Sequence, residues 1–142
     1  MNRLSQFEPS LQDTDRLWRP SPFRARSRWQ SLGHALQGLR DAWETQVNFR
    51  LHVYLGLTAV ALGAWLRLST LEWLWISFAI GLVLFAELMN TAIEQTVDFV
   101  VGDRLDPSAR CVKDISAGFV LVACLIAVVI GALTFSPHLL LR

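Results

Sequence analysis

A chain of 142 residues has room for one domain, and 53% hydrophobic residues against 18% charged, with a mean hydropathy of +0.37, set it apart from an ordinary soluble domain. The net charge of +1 says little as a sum, but its distribution is informative, and no nucleic-acid partner is expected. Membrane residence is the first expectation.

The opening Met1 to Arg26 mixes Pro, Ser and charge without sustained periodicity, which predicts a mobile cytoplasmic tail lying near anionic headgroups. It contains no apolar core of the kind a cleavable signal peptide needs. From Ser27 the pattern changes. Trp29, Leu32, Leu36, Leu39, Trp43 and Val47 recur every three or four residues, whereas Gln30, His34, Gln37, Asp41 and Thr45 take the other side. Arg28 and Arg40 flank the stripe, where long side chains can reach water. An amphipathic helix over about 27–47 with two tryptophans on its apolar face is expected to lie in the membrane interface, or to dock on another helix of the chain.

Three spans should follow. The first is "LHVYLGLTAVALGAWL", Leu51 to Leu66, extended by its flanks to about 49–68. The run "LEWLWISFAIGLVLFA", Leu71 to Ala86, is too short alone and spans only by continuing through the acidic stretch that follows, to about 71–101. The third is "ISAGFVLVACLIAVVIGALTF", Ile115 to Phe135, within about 113–135. Arginines crowd the residues before Leu51 and recur with Lys113 in "GDRLDPSARCVKD", whereas only Arg67 marks the connection between the first two spans. The positive-inside rule therefore puts the N-terminus and the second connection in the cytoplasm and the C-terminus outside, in a multi-pass protein of the inner (plasma) membrane. Lipid admits only fully hydrogen-bonded backbones, so the fold class is all-α integral membrane: an interfacial helix plus three transmembrane helices. The domain is placed at 27–142. Cys111 in the cytoplasmic connection and Cys124 in mid-span disfavour a disulfide and lack metal-ligand spacing.

The informative stretch is "LFAELMNTAIEQTVDFVV", Leu84 to Val101. On a helix, Glu87, Asn90, Glu94 and Asp98 fall within roughly 80° of arc and extend roughly 16 Å along one face. Thr91 and Gln95 widen that stripe, and Leu88, Met89, Ala92 and Phe99 oppose it, with Thr96 as a polar exception. Asp98 and Glu94 could simply mark the end of a span. Glu87, directly after an apolar run, is harder to dismiss, because an ionisable group inside a membrane is costly. Clustered carboxylates call for a cation or a proton, and hard oxygen ligands suit Mg²⁺, which binds one or two carboxylates together with substrate phosphates. Lys113 and Asp114 enter the third span at about the depth of Asp98 and Glu94. Lys113 could be a snorkelling anchor or a phosphate ligand. No Gly-rich phosphate loop and no kinase catalytic-loop pattern is present, so any ATP chemistry would use an uncommon scaffold.

"ELMNTAIEQTVD", a Lys-Asp pair at the third span and "NFRLH" at the first together resemble the small prokaryotic diacylglycerol kinase and undecaprenol kinase family, over roughly Ser27 to Phe135. The resemblance implies a homotrimer of three-span subunits with shared active sites, transferring the γ-phosphoryl group of ATP to a lipid hydroxyl, diacylglycerol or undecaprenol, at the cytoplasmic face with Mg²⁺. It implies Glu87 as general base, Asn90 as a positioning group and Glu94 as metal ligand. The implied ATP-binding set is Arg28, Gln46, Glu94, Asp98, Lys113 and Asp114, and the lipid-binding set is Asn48, Phe49, Arg50 and Trp65. Gln46 stands where the family commonly has a second metal-binding Glu, so the metal ligands become Glu94 and Gln46, with Glu44 as a possible substitute. Asp106 replaces a usual His and Val112 a usual Ala. "NFRLH", with His52, looks more like the undecaprenol kinase branch. Two other readings stay open: a non-enzymatic oligomeric cation or proton pathway, and an inactive structural subunit.

Overall fold

The computed structural model describes residues 27–102, 104 and 106–140; the predicted tail over 1–26 lies outside them. The described residues form four helices: α1 (Arg28–Thr45), α2 (Val47–Leu66), α3 (Thr70–Val101) and α4 (Pro107–Leu140). The last three are each long and apolar enough to cross a membrane. The chain divides into two compact units, 1–37 and 38–142.

Local chemistry fixes each boundary. Ser27 Oγ accepts the Gln30 N–H at 3.2 Å and starts α1. Trp29, Leu32 and Leu36 in the first unit, and Leu39 and Trp43 in the second, are all exposed within their units. The stop at Thr45 has no Gly or Pro behind it. Gln46 turns to extended backbone (φ −103°, ψ 110°), and Arg50 Nη1 reaches back to donate to the carbonyls of Trp43 (2.7 Å) and Glu44 (3.1 Å). Those carbonyls would otherwise end the helix unpaired. The Trp43 and Tyr54 rings meet edge to face across the break, 5.8 Å apart.

The turn from α2 into α3 is tightly specified. Arg67 adopts the left-handed conformation (φ 57°) that terminates helices, and the Leu68 N–H bonds to Gly63 O at 3.1 Å. Ser69 then caps α3 in a reciprocal box. Its hydroxyl accepts the Glu72 N–H at 3.4 Å, and its own N–H donates to Glu72 Oε2 at 2.7 Å. Leu68, at the end of the 49–68 segment, is therefore a buried turn residue rather than the last turn of a helix. At the other end of α3, Gly102 leaves helical geometry with φ 62°. Asp106 Oδ1 accepts the N–H groups of Ser108 (2.7 Å) and Ala109 (3.3 Å), which starts α4. Pro107 sits at the first helical position, where no N–H is missed. For that reason α4 begins well before Lys113, and it runs past Phe135 to Leu140 through Pro137.

The core lies between the spans in two patches. Leu66, Leu68 and Ile76 form one, packed by Leu62, Trp73, Ile130 and Phe135 near the α2–α3 turn. Val83, Ala86 and Ala123 form the other, where α3 meets α4. Close approach of α2 to its neighbours depends on two glycines. A Cβ at Gly56 would stand 3.1 Å from Ile80 Cγ2, and one at Gly63 would stand 3.0 Å from Leu68 Cδ1 and 3.1 Å from Trp73 Cη2. At the turn end, His138 Nε2 of α4 lies 2.8 Å from Glu72 Oε1, so one carboxylate serves both the cap of α3 and the end of α4. Large apolar side chains such as Leu133, Val128 and Phe85 remain exposed around the outside, as lipid contact requires.

Candidate active site

The acidic stripe of α3 is graded in burial. Glu87 is 3% exposed and Asn90 8%, Glu94 is half-buried, and the Asp98 side chain is 66% exposed. Phe99 and Met89, on the other side of the helix, are open. The polar face therefore turns toward the bundle, and its most ionisable-averse position holds a carboxylate.

α4 supplies the complement. Ser116 Oγ donates to Asn90 Oδ1 at 2.7 Å, and Asn90 Nδ2 donates to Glu94 Oε1 at 3.1 Å. Lys113 Nζ donates to both oxygens of Asp98, at 2.8 and 3.1 Å. Matching depths along α3 and α4 had placed Lys113 near Asp98 and Glu94, and the two helices bring them together. Asp114 lies one residue on, exposed, with Arg110 Nε 3.8 Å from its carboxylate.

Between these faces lies a cavity of about 570 Å³, lined among others by Glu94, Asp98, Arg104, Arg110, Lys113 and Asp114. Its size is that of small-molecule sites, and three cations beside four acids, Asp106 included, suit a polyanion that arrives with its own counterion. Among the described residues no three His, Cys, Asp or Glu side chains converge as a metal cage. Mg²⁺ does not require one, since it takes one or two carboxylates and fills the remaining positions with phosphate oxygens and water. Glu94 and Asp98, both oxygen donors on the wall that Lys113 shares, fit that demand.

The other expected residues are more dispersed. Gln46 sits in the α1–α2 break with its amide N–H donating to Thr45 Oγ1 at 3.3 Å. Asn48 and Arg50 lie on the first turn of α2 with Phe49 buried between them, and Arg50 is engaged in capping α1. Trp65 is exposed in the last turn of α2, roughly 22 Å farther along the helix than Arg50. The structure does not gather the expected lipid-binding residues Asn48, Phe49, Arg50 and Trp65 into one cluster. Arg28 opens α1 and is exposed within the first unit. Two residues escaped sequence reasoning as site members. His52 lies within Coulombic range of Glu87, signalled only by its place in "NFRLH". Ser116, in an apolar run, carries no signal by itself.

Known proteins are similar to this chain over most of its length. The undecaprenol kinase of Bacillus subtilis (strain 168) is 38% identical over 111 residues, covering 78% of this chain and 89% of that protein. The diacylglycerol kinase of Synechocystis sp. (strain ATCC 27184 / PCC 6803 / Kazusa) is 36% identical over 110 residues, 78% of this chain and 63% of that protein. The diacylglycerol kinase of Escherichia coli (strain K12) is 29% identical over 109 residues, 77% of this chain and 88% of that protein. The profile of the prokaryotic diacylglycerol kinases matches residues 33–135, a stretch that holds two spans whole and the third as far as Phe135, with the buried Glu87 and the Lys113 cavity. On that match the chain belongs to the prokaryotic diacylglycerol kinase family.

Proposed function

We propose that this membrane lipid kinase transfers the γ-phosphoryl group of MgATP to the hydroxyl of diacylglycerol or of a polyprenol such as undecaprenol, at the cytoplasmic face. The observation that carries the proposal is the cavity that joins Lys113 on α4 to Glu94 and Asp98 on α3, with Asn90 and the buried Glu87 on the same face of α3.

Phosphoryl transfer depends on positioning and on neutralising charge. Lys113, with Arg104 and Arg110 near it, attracts the polyphosphate, and Lys113 exchanges its Asp98 partner for phosphate oxygens. Glu94 and Asp98 would hold Mg²⁺, with Gln46 as a further oxygen donor. When bound, the ion neutralises β- and γ-phosphate oxygens. Glu87 takes the proton of the lipid hydroxyl as its oxygen attacks phosphorus, the bond to the ADP oxygen breaks, and Asn90 keeps the reacting groups aligned. The burial of Glu87 keeps water, a competing acceptor, away from the transferred group. Asp114 and Arg28 complete the nucleotide contacts, and Asn48, Phe49, Arg50 and Trp65 face the lipid. Trp65 serves the lipid tail rather than the headgroup, given its distance along α2. Family membership supports a homotrimer with sites shared between subunits, with the N-terminus in the cytoplasm and the C-terminus outside.

A cation or proton pathway would use Glu87, Glu94 and Asp98 but has no need of Lys113, Arg104 and Arg110 on the wall of the same cavity. The deciding experiment gives purified protein labelled ATP and a panel of lipid alcohols in mixed micelles, alongside cation flux in liposomes. Phosphorylation of at least one lipid, dependent on Mg²⁺, is expected. Flux without any lipid phosphate overturns the reading.

A further inference from the structure

Ser116 is the one fully buried side chain of any size among the described residues, and it is polar. Its hydroxyl has a single proton. Two acceptors stand within reach of it, Asn90 Oδ1 at 2.7 Å and the carbonyl of Lys113 at 2.8 Å. One small side chain therefore touches the amide of α3 that bonds to Glu94 and the backbone of the residue that carries the site's lysine.

The arithmetic of donors and acceptors gives this contact a consequence. A carboxamide has one accepting end and one donating end of nearly equal size. Glu94 Oε1 can only accept, so Asn90 points its nitrogen there and presents its oxygen to the Ser116 hydroxyl. With the amide reversed, the nitrogen would face Ser116 and the oxygen would face Glu94, setting two acceptors against each other. Without the serine hydroxyl the buried Asn90 oxygen loses the donor that α4 supplies.

We propose that Ser116 is a positioning residue of this kinase: it anchors the Asn90 amide by its oxygen, and through Asn90 it holds the Glu94 carboxylate in the pose that receives a divalent cation. The inference rests on the kinase reading of the site. Ser116 touches neither reacting group, so its contribution appears only through Asn90.

A double-mutant cycle tests this. Ser116→Ala and Asn90→Ala, alone and combined, are compared by binding of Mn²⁺ with a non-hydrolysable ATP analogue, read by electron paramagnetic resonance, and by steady-state kinetics with lipid. In the wild-type background Ser116→Ala should weaken Mn²⁺–nucleotide binding about three- to tenfold, the range for one net hydrogen bond, and lower kcat comparably, with KM for lipid unchanged. In the Asn90→Ala background the same change should move either quantity by less than about twofold. Ser116→Cys, which keeps a weak donor, should fall between serine and alanine. Thr134→Val removes another buried hydroxyl of α4, far along the helix, and should leave cation binding unchanged. Equal losses from Ser116→Ala in both backgrounds, or alanine and cysteine variants that match wild type, overturn the inference while leaving the kinase intact. A wild-type protein that phosphorylates no lipid instead overturns the kinase reading, and this inference with it.

Discussion

Replacing Glu87 by Gln separates chemistry from binding. The side chain is 3% exposed, so the change preserves volume in a packed position and removes a charge that burial disfavours. Folding is therefore not compromised, and the thermal midpoint in detergent should hold or rise. Glu87 precedes Glu94 by two helical turns, roughly 10 Å along α3, and it does not line the Lys113 cavity. Nucleotide affinity should accordingly change by less than about twofold. A general base contributes about 10²–10⁴ in rate, so kcat should fall by that factor, equivalent to about 2.7–5.5 kcal/mol of transition-state stabilisation. The assay is steady-state transfer from labelled ATP to lipid in mixed micelles, with binding of the ATP analogue measured separately. Retention of wild-type kcat refutes the reasoning, and so does lost nucleotide affinity with normal residual turnover.

Gln46→Glu adds a carboxylate at the α1–α2 break and should lower the Mg²⁺ concentration for half-maximal rate; an unchanged titration removes position 46 from the metal site. Gly63→Ala places a methyl 3.0 Å from Leu68 Cδ1 and 3.1 Å from the Trp73 ring, and overpacking of this kind costs about 1–3 kcal/mol. Gly81→Ala, with nothing within 4 Å, should leave the thermal midpoint unchanged, and equal effects at the two glycines would count against close α2 packing. His138→Ala removes the α4 partner of Glu72 and should lower the thermal midpoint while kcat stays constant, so a selective loss of kcat would contradict its placement away from the chemistry.

Much of this fold was legible because lipid imposes few choices. Apolar runs announced the three spans, and the three-and-four spacing from Trp29 announced α1. The boundaries were less legible, for physical reasons. "DPSAR" has the composition of a loop, yet Asp106 and Pro107 make it a helix start, so α4 begins before its apolar run. The α1–α2 break carries no Gly or Pro because it is made by Arg50 from the far side, an interaction that spacing does not reveal. In the site, the shared face of Glu87, Asn90, Glu94 and Asp98 followed from helical geometry, as did the depth of Lys113. Ser116 did not, because a lone serine among apolar residues gains meaning only from the helix opposite it.

α3 and α4 are fastened unequally at their two ends, and on the proposed kinase reading this bears on how a nucleotide would enter. Near the turn, Ser69, Glu72 and His138 interlock above the Leu66, Leu68 and Ile76 cluster. At the other end, a solvent-accessible Lys113–Asp98 pair crosses the mouth of the cavity. Exposed ion pairs hold helices together weakly and yield to competing ions. On the proposed kinase reading, phosphates that take Lys113 from Asp98 would release only this outer contact, while the buried Ser116–Asn90 bond and the Glu72 end stay fastened. On that reading, entry and capture would use the same lysine.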